Sequence, residues 1–149
     1  MKILYYVLFI IGISSNLFAN IDDNVELLFT RFDMNEDGLI TEREVAEWSV
    51  LDFKVADKNK DNKLSKKELY SHLCNTTCKL TNNCECVNDY DENKYEYLKN
   101  TWMDTDANRD GYITLSEKYR KDLFDFRSYN NNDGELTRNE YRLKLESWQ

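Results

Sequence analysis

Four polar, acid-rich stretches of the chain are flanked by apolar residues at helical intervals. Leu28, Phe29 and Phe32 lead into the first, and Val45 and Trp48 follow it. Phe53 and Ala56 lead into the second, with Leu69 and Leu73 after it; Leu98 and Trp102 precede the third, and Tyr141 and Leu145 follow the fourth. Spacings of three and four put such residues on one helix face, so the pattern predicts amphipathic helices on either side of polar loops, with the aromatics as core. One apolar run is different. It extends unbroken from Ile3 to Ile11 behind the single cation Lys2, and a polar stretch then leads to the small residue Ala19. That layout predicts a secretory signal peptide over residues 1–19, too short to span a bilayer, in preference to a buried first helix.

The polar stretches share one register. From Asp33 the chain reads DMNEDGLITERE, from Asp57 DKNKDNKLSKKE, from Asp106 DANRDGYITLSE and from Tyr129 YNNNDGELTRNE. Oxygen-bearing side chains recur at positions 1, 3, 5, 9 and 12, a glycine or its substitute at position 6, and an aliphatic residue at position 8. A hard cation such as Ca²⁺ takes six to eight oxygens at about 2.3 to 2.6 Å, and a twelve-residue loop supplies them from side chains at 1, 3, 5, 9 and 12 and from the carbonyl at 7. The first loop thus offers Asp33, Asn35, Asp37, the Leu39 carbonyl, Thr41 and Glu44. The second offers Asp57, Asn59, Asp61, the Lys63 carbonyl, Ser65 and Glu68, and the third Asp106, Asn108, Asp110, the Tyr112 carbonyl, Thr114 and Glu117.

Two loops depart from the pattern. Asn62 replaces the turn glycine of the second, and asparagine is one of the few other residues that enters the left-handed region at small cost. Lys58, Lys60, Lys63, Lys66 and Lys67 surround that loop and are expected to weaken its hold on a cation. In the fourth, Tyr129 stands at the first ligand position, where a neutral phenol is a poor donor to a hard cation. Asn131, Asp133, the Glu135 carbonyl, Thr137 and Glu140 remain, so this loop is expected to bind weakly or not at all, and Tyr129→Asp would complete its ligand set. Three Ca²⁺ sites are expected and a fourth is doubtful.

These four segments resemble the EF-hand superfamily, and the resemblance covers most of the chain beyond residue 19. It implies an all-α fold of helix-loop-helix repeats with paired loops: a first half over 20–73, a second over 93–149, and a connector over 74–92. With a secretion signal the chain looks distantly like the reticulocalbin and calumenin group, but it ends Glu146-Ser147-Trp148-Gln149 without an HDEL-like tail.

Loop starts lie 24 residues apart in the first half and 23 in the second. Val45–Ala56 and Lys118–Ser128, free of proline and glycine, are therefore short enough for each to be one helix shared by two loops. Loop one would then pair with loop four and loop two with loop three. A sharp break in each segment would instead pair one with two and three with four. Proline is absent and only Gly38, Gly111 and Gly134 follow Gly12, which favours helices over β-turns.

Composition narrows the function classes. The formal charge of −8 argues against nucleic acid and anionic surfaces, and no Lys/Arg face stands out against it. Cys74, Cys78, Cys84 and Cys86 in a chain bound for an oxidising compartment predict two disulfides, nested or crossed, with a four-thiolate zinc site as the rival. Asn75-Thr76-Thr77 is a glycosylation acceptor sequence in that setting. The single histidine, His72, has no nucleophile or carboxylate pattern beside it, so no catalytic constellation is expected. What remains is calcium binding in the secretory lumen or outside the cell, structural or buffering. A calcium-dependent adaptor presenting an apolar groove to a protein partner is the alternative.

Overall fold

The computed structural model describes residues 21–81, 96–131 and 133–147, with side chains other than those of residues 74, 76–81 and 96–98. The expected signal segment 1–19 and the pairing of Cys74, Cys78, Cys84 and Cys86 lie outside the described residues and side chains.

Six helices and two short strands make up the described chain: α1 Ile21–Phe32, β1 Leu39–Thr41, α2 Glu42–Ala56, α3 Lys66–Thr81, α4 Glu96–Thr105, α5 Leu115–Arg127, β2 Glu135–Thr137 and α6 Arg138–Glu146. Helix α3 runs on to Thr81, well into the segment whose lack of apolar period predicted a non-helical connector from residue 74. No proline or glycine interrupts 66–81, so nothing in the backbone stops the helix where periodicity gives no signal. The two strands qualify the all-α expectation. No described helix is long and apolar enough to cross a membrane.

Helices α2, α3, α5 and α6 start in the same way. Thr41 Oγ1 accepts from the Glu44 N–H at 3.3 Å while Glu44 Oε2 accepts from the Thr41 N–H at 2.9 Å. Thr114 with Glu117 and Thr137 with Glu140 repeat this capping box, and Ser65 with Glu68 makes the same two bonds at 3.3 and 3.0 Å. Each box satisfies two N–H groups that the first helical turn would leave without partners.

Shared helices decide the architecture. Each of α2 and α5 is continuous between two loops, so α2, about 22 Å long, separates loop one from loop two. Loop one therefore pairs with loop four: β1 and β2 run antiparallel, with Ile40 opposite Leu136. Loop two pairs with loop three through a bridge in which the Leu64 N–H donates to the Ile113 carbonyl at 2.8 Å and the Ile113 N–H returns the bond at 2.9 Å. Two cores result. Val25, Phe29, Ile40, Phe126, Leu136 and Tyr141 belong to the core under loops one and four, and Phe53, Leu64, Leu69, Trp102 and Ile113 to the core under loops two and three. The halves predicted at 20–73 and 93–149 are therefore not the packing units, because each loop pair takes one loop from either half.

Helices α2 and α5 lie antiparallel and join the two units through a buried polar chain. Ser49 Oγ donates to Asp122 Oδ2 at 2.6 Å, Lys118 Nζ sits 2.8 Å from Asp122 and 3.1 Å from Asp52, and His72 Nε2 lies 2.7 Å from the other Asp52 oxygen. Burial alone would lower the Lys118 ammonium, but the carboxylates of Asp122 and Asp52 hold it above its ordinary range. Burial likewise opposes the Asp52 charge, and Lys118 and His72 nevertheless hold its carboxyl well below the usual value. Each charge has an opposite partner, the condition under which burial of ions is tolerated.

Candidate metal centres

Position 1 of each complete loop ends a helix and begins the site. The Asp33, Asp57 and Asp106 N–H groups close the last turns of α1, α2 and α4 on Phe29, Phe53 and Trp102 carbonyls at 2.8 to 2.9 Å. Their side chains are buried and turned into the loop. Asp33 Oδ2 accepts from the Gly38 N–H at 3.0 Å, Asp57 Oδ2 from Asn62 at 3.0 Å, and Asp106 Oδ2 from Gly111 at 3.1 Å. Closing a loop on its own first residue requires a left-handed turn at position 6. Gly38 and Gly111 take φ of 88° and 84°, and Asn62 takes 64°, as its tolerance of that region led one to expect.

The sequence did not foretell a second turn of this kind. Position 4 is also left-handed, at Glu36 (φ 59°), Lys60 (61°) and Arg109 (59°). None of these residue types favours that region, so no local signal marks it. The strain, of the order of 1 to 3 kcal/mol for a non-glycine residue, is imposed by the loop's need to turn its donors inward.

Positions 3 and 5 brace each other. Asn35 Oδ1 accepts from the Asp37 N–H at 3.0 Å, Asp37 Oδ1 accepts from the Leu39 N–H at 2.9 Å, and Asn35 Nδ2 donates to Asp37 Oδ2 at 2.8 Å. Asn59 with Asp61 and Asn108 with Asp110 repeat the set.

The closing glutamates show the tightest organisation. Glu44 Oε1 accepts from the N–H groups of Met34 and Asn35 at 2.9 and 3.3 Å, while Oε2 accepts from the Thr41 N–H and Oγ1, both at 2.9 Å. Glu68 receives Lys58, Asn59 and Ser65, and Glu117 receives Ala107, Asn108 and Thr114, in the same geometry. Burial alone would raise the Glu117 carboxyl, but the bonds from Thr114, Asn108 and Ala107 more than offset it and keep it below its ordinary value. Glu68 behaves likewise, with Ser65, Asn59 and Lys58. Both oxygens of each closing glutamate are thereby aimed by the loop's own donors. Residues 9 and 12, predicted only as donors, are also the helix caps, and the S/T-x-x-E spacing at 41–44, 65–68, 114–117 and 137–140 carries that signal.

The fourth loop is built otherwise. Tyr129 is a core residue, packed edge-on against Tyr141 with ring centroids 5.6 Å apart. Burial, with Tyr141 and Asp125 nearby, pushes its phenol well above the usual range and keeps it neutral. The Asn131 amide nitrogen contacts Glu140 Oε1, the oxygen that two backbone N–H groups hold in the complete loops. Asp133 still accepts from the Glu135 N–H at 3.0 Å, and Glu140 Oε2 keeps Thr137 at 2.8 Å.

Among the described residues no three Asp, Glu, His or Cys side chains converge as a ready-made metal cluster. In loops one to three the carboxylates rest on loop N–H groups, and the remaining donors are Asn oxygens, a carbonyl and a hydroxyl. An all-oxygen set of mixed charge, spaced along one turn, fits a hard divalent ion and does not fit a soft one. A search of curated proteins finds no match for this chain. Residues 25–47 and 52–73, which contain loops one and two, match the family model described as EF hand, and these two matches support an EF-hand calcium-binding protein.

Proposed function

We propose that the chain binds three Ca²⁺ ions, in the loops at 33–44, 57–68 and 106–117, and that the loop at 129–140 serves as a structural partner. The observation that carries this reading is the state of the closing glutamate. Glu44, Glu68 and Glu117 each hold one oxygen on two backbone N–H groups, whereas Glu140 has that oxygen against a side-chain amide. A bound Ca²⁺ supplies the positive charge that the clustered carboxylates lack. The chain's own residues do the rest. Position 1 links the ligand set to the end of the incoming helix, and position 12 links it to the first turn of the outgoing one.

A structural or buffering role in the secretory lumen or outside the cell accords with the Lys2 and Ile3–Ile11 pattern, and with glutamates aimed in advance. Titration calorimetry should count three equivalents, and Glu117→Gln should remove one of them while Glu140→Gln removes none. Loss of an equivalent in the Glu140 variant, or none in the Glu117 variant, overturns this assignment of sites.

A further inference from the structure

We propose that the end of the molecule carrying loops two and three is a calcium-gated docking face for membranes rich in anionic phospholipid. The inference rests on the proposed filling of those two loops. Residues 57–68 contain Lys58, Lys60, Lys63, Lys66 and Lys67 against Asp57, Asp61 and Glu68, a formal +2. Residues 106–117 contain Asp106, Asp110 and Glu117 against Arg109, a formal −2. The bridge between Leu64 and Ile113 places these loops side by side, so the two loops together are neutral in formal charge, and two divalent ions take them to +4. The opposite end behaves differently. Loops 33–44 and 129–140 sum to −6, and one ion leaves them at −4. Whole-chain charge, which argued against anionic surfaces, averages over one acidic loop pair and one that is neutral until ions fill it.

The lysines are placed for contact outward. Lys54, Lys58, Lys60 and Lys67 are exposed and make no ion pair among the described residues, whereas Arg43, Lys118, Lys121, Arg127, Arg138 and Arg142 are all paired with carboxylates. Lys63 is held over the Tyr112 ring at 5.2 Å and Lys66 over the Trp102 ring at 5.7 Å, so the cationic face spans both loops. Screening over about 8 Å at physiological salt confines the field to this end and keeps the acidic end from cancelling it.

Aliphatic side chains select the kind of polyanion. Leu51 and Val55, 51% and 56% exposed, stand one turn apart on α2 beside Lys54. Exposed aliphatics interleaved with lysines suit the boundary between lipid phosphates and acyl chains. A sulfated polysaccharide would engage the lysines and leave Leu51 and Val55 without a role.

The full chain, with its calcium content measured in parallel, can be sedimented with phosphatidylserine/phosphatidylcholine vesicles in calcium and in chelator, with heparin in place of vesicles as the second arm. Binding to vesicles in calcium, lost in chelator and weakened at least about a hundredfold by Lys58, Lys60, Lys63 and Lys67→Gln together, is the expected result. Leu51→Ser with Val55→Ser should weaken vesicle binding about tenfold or more and leave heparin unaffected. Neutralising Asp61→Asn, Glu68→Gln, Asp110→Asn and Glu117→Gln should give vesicle binding without calcium. Filled calcium sites with no vesicle binding, or binding to heparin alone, overturn this inference and leave the calcium sites standing. A chain that takes up no calcium overturns both.

Discussion

The two loop pairs reach the same geometry by unequal means. Loops one and four are joined by strands pairing three residues on each side, by packing of α1 on α6, and by Arg138–Glu26 and Arg142–Asp22 bridges, with Arg138 also over the Phe29 ring. Among the described residues, loops two and three are joined by one backbone bridge, between Leu64 and Ile113, and by Lys63 over the Tyr112 ring. Among the described residues, the pair that has lost a ligand position thus has the longer strand pairing and the ion pairs between its outer helices. Tyr129 explains how: the residue that costs the fourth loop its first carboxylate adds a buried ring to the core beneath it. An ion and a side chain can do the same mechanical work of fixing a helix end; at the fourth loop the ring of Tyr129 does it.

Four experiments break or sharpen that comparison, in falling order of effect. Lys118→Met removes the buried cation between Asp52 and Asp122 and leaves Asp122 to the Ser49 hydroxyl and Asp52 to His72 where α2 meets α5. It should cost about 3 to 5 kcal/mol in denaturant unfolding, and a loss under 1 kcal/mol would show that this polar chain does not join the two units.

Tyr129→Asp, which on ligand chemistry alone completes the fourth loop, instead puts a carboxylate where the core holds a ring. Chelator-treated variant should be less stable by about 3 kcal/mol, with calcium restoring part of the loss. An unchanged melting temperature in chelator would mean that the ring is not structural.

Removing calcium should loosen the two pairs unequally. Amide exchange at Leu64 and Ile113 should accelerate by about a hundredfold, the equivalent of the roughly 2.7 kcal/mol that a site filled at a hundred times its dissociation constant contributes. Exchange at Ile40 and Leu136 should change by less than tenfold. Equal acceleration at both pairs would abolish the distinction drawn between them. Smallest of all, Asn62→Gly relieves a left-handed asparagine and should tighten loop two by about 0.5 kcal/mol, read from the calcium dependence of unfolding; no gain would mean that the turn carries no strain.

The proposed ligand positions are legible because coordination is written in local spacing. Six donors within twelve residues need no distant partner to be recognised, and Tyr129 in place of aspartate could be read directly as a lost donor. The S/T-x-x-E caps are equally local. Position 4 was not legible, since Glu36, Lys60 and Arg109 carry no preference for the conformation the closed loop imposes. Nor did the absence of apolar period after Leu73 reveal that α3 continues to Thr81, where no proline or glycine stops the backbone.

By itself, then, the sequence determined the twelve-residue spacing of candidate donors, where helices flank them, and that the fourth loop differs. Tertiary structure decided which loops meet. The segments Val45–Ala56 and Lys118–Ser128 allow either a straight helix or a break, and nothing local separates the two. The choice falls to burial of Ile40 against Leu136 and Leu64 against Ile113, and to pairing of Lys118 with Asp52 and Asp122. Apart from Lys118 with Asp122, those contacts join residues 49 to 96 positions apart, and only the folded chain brings them within range.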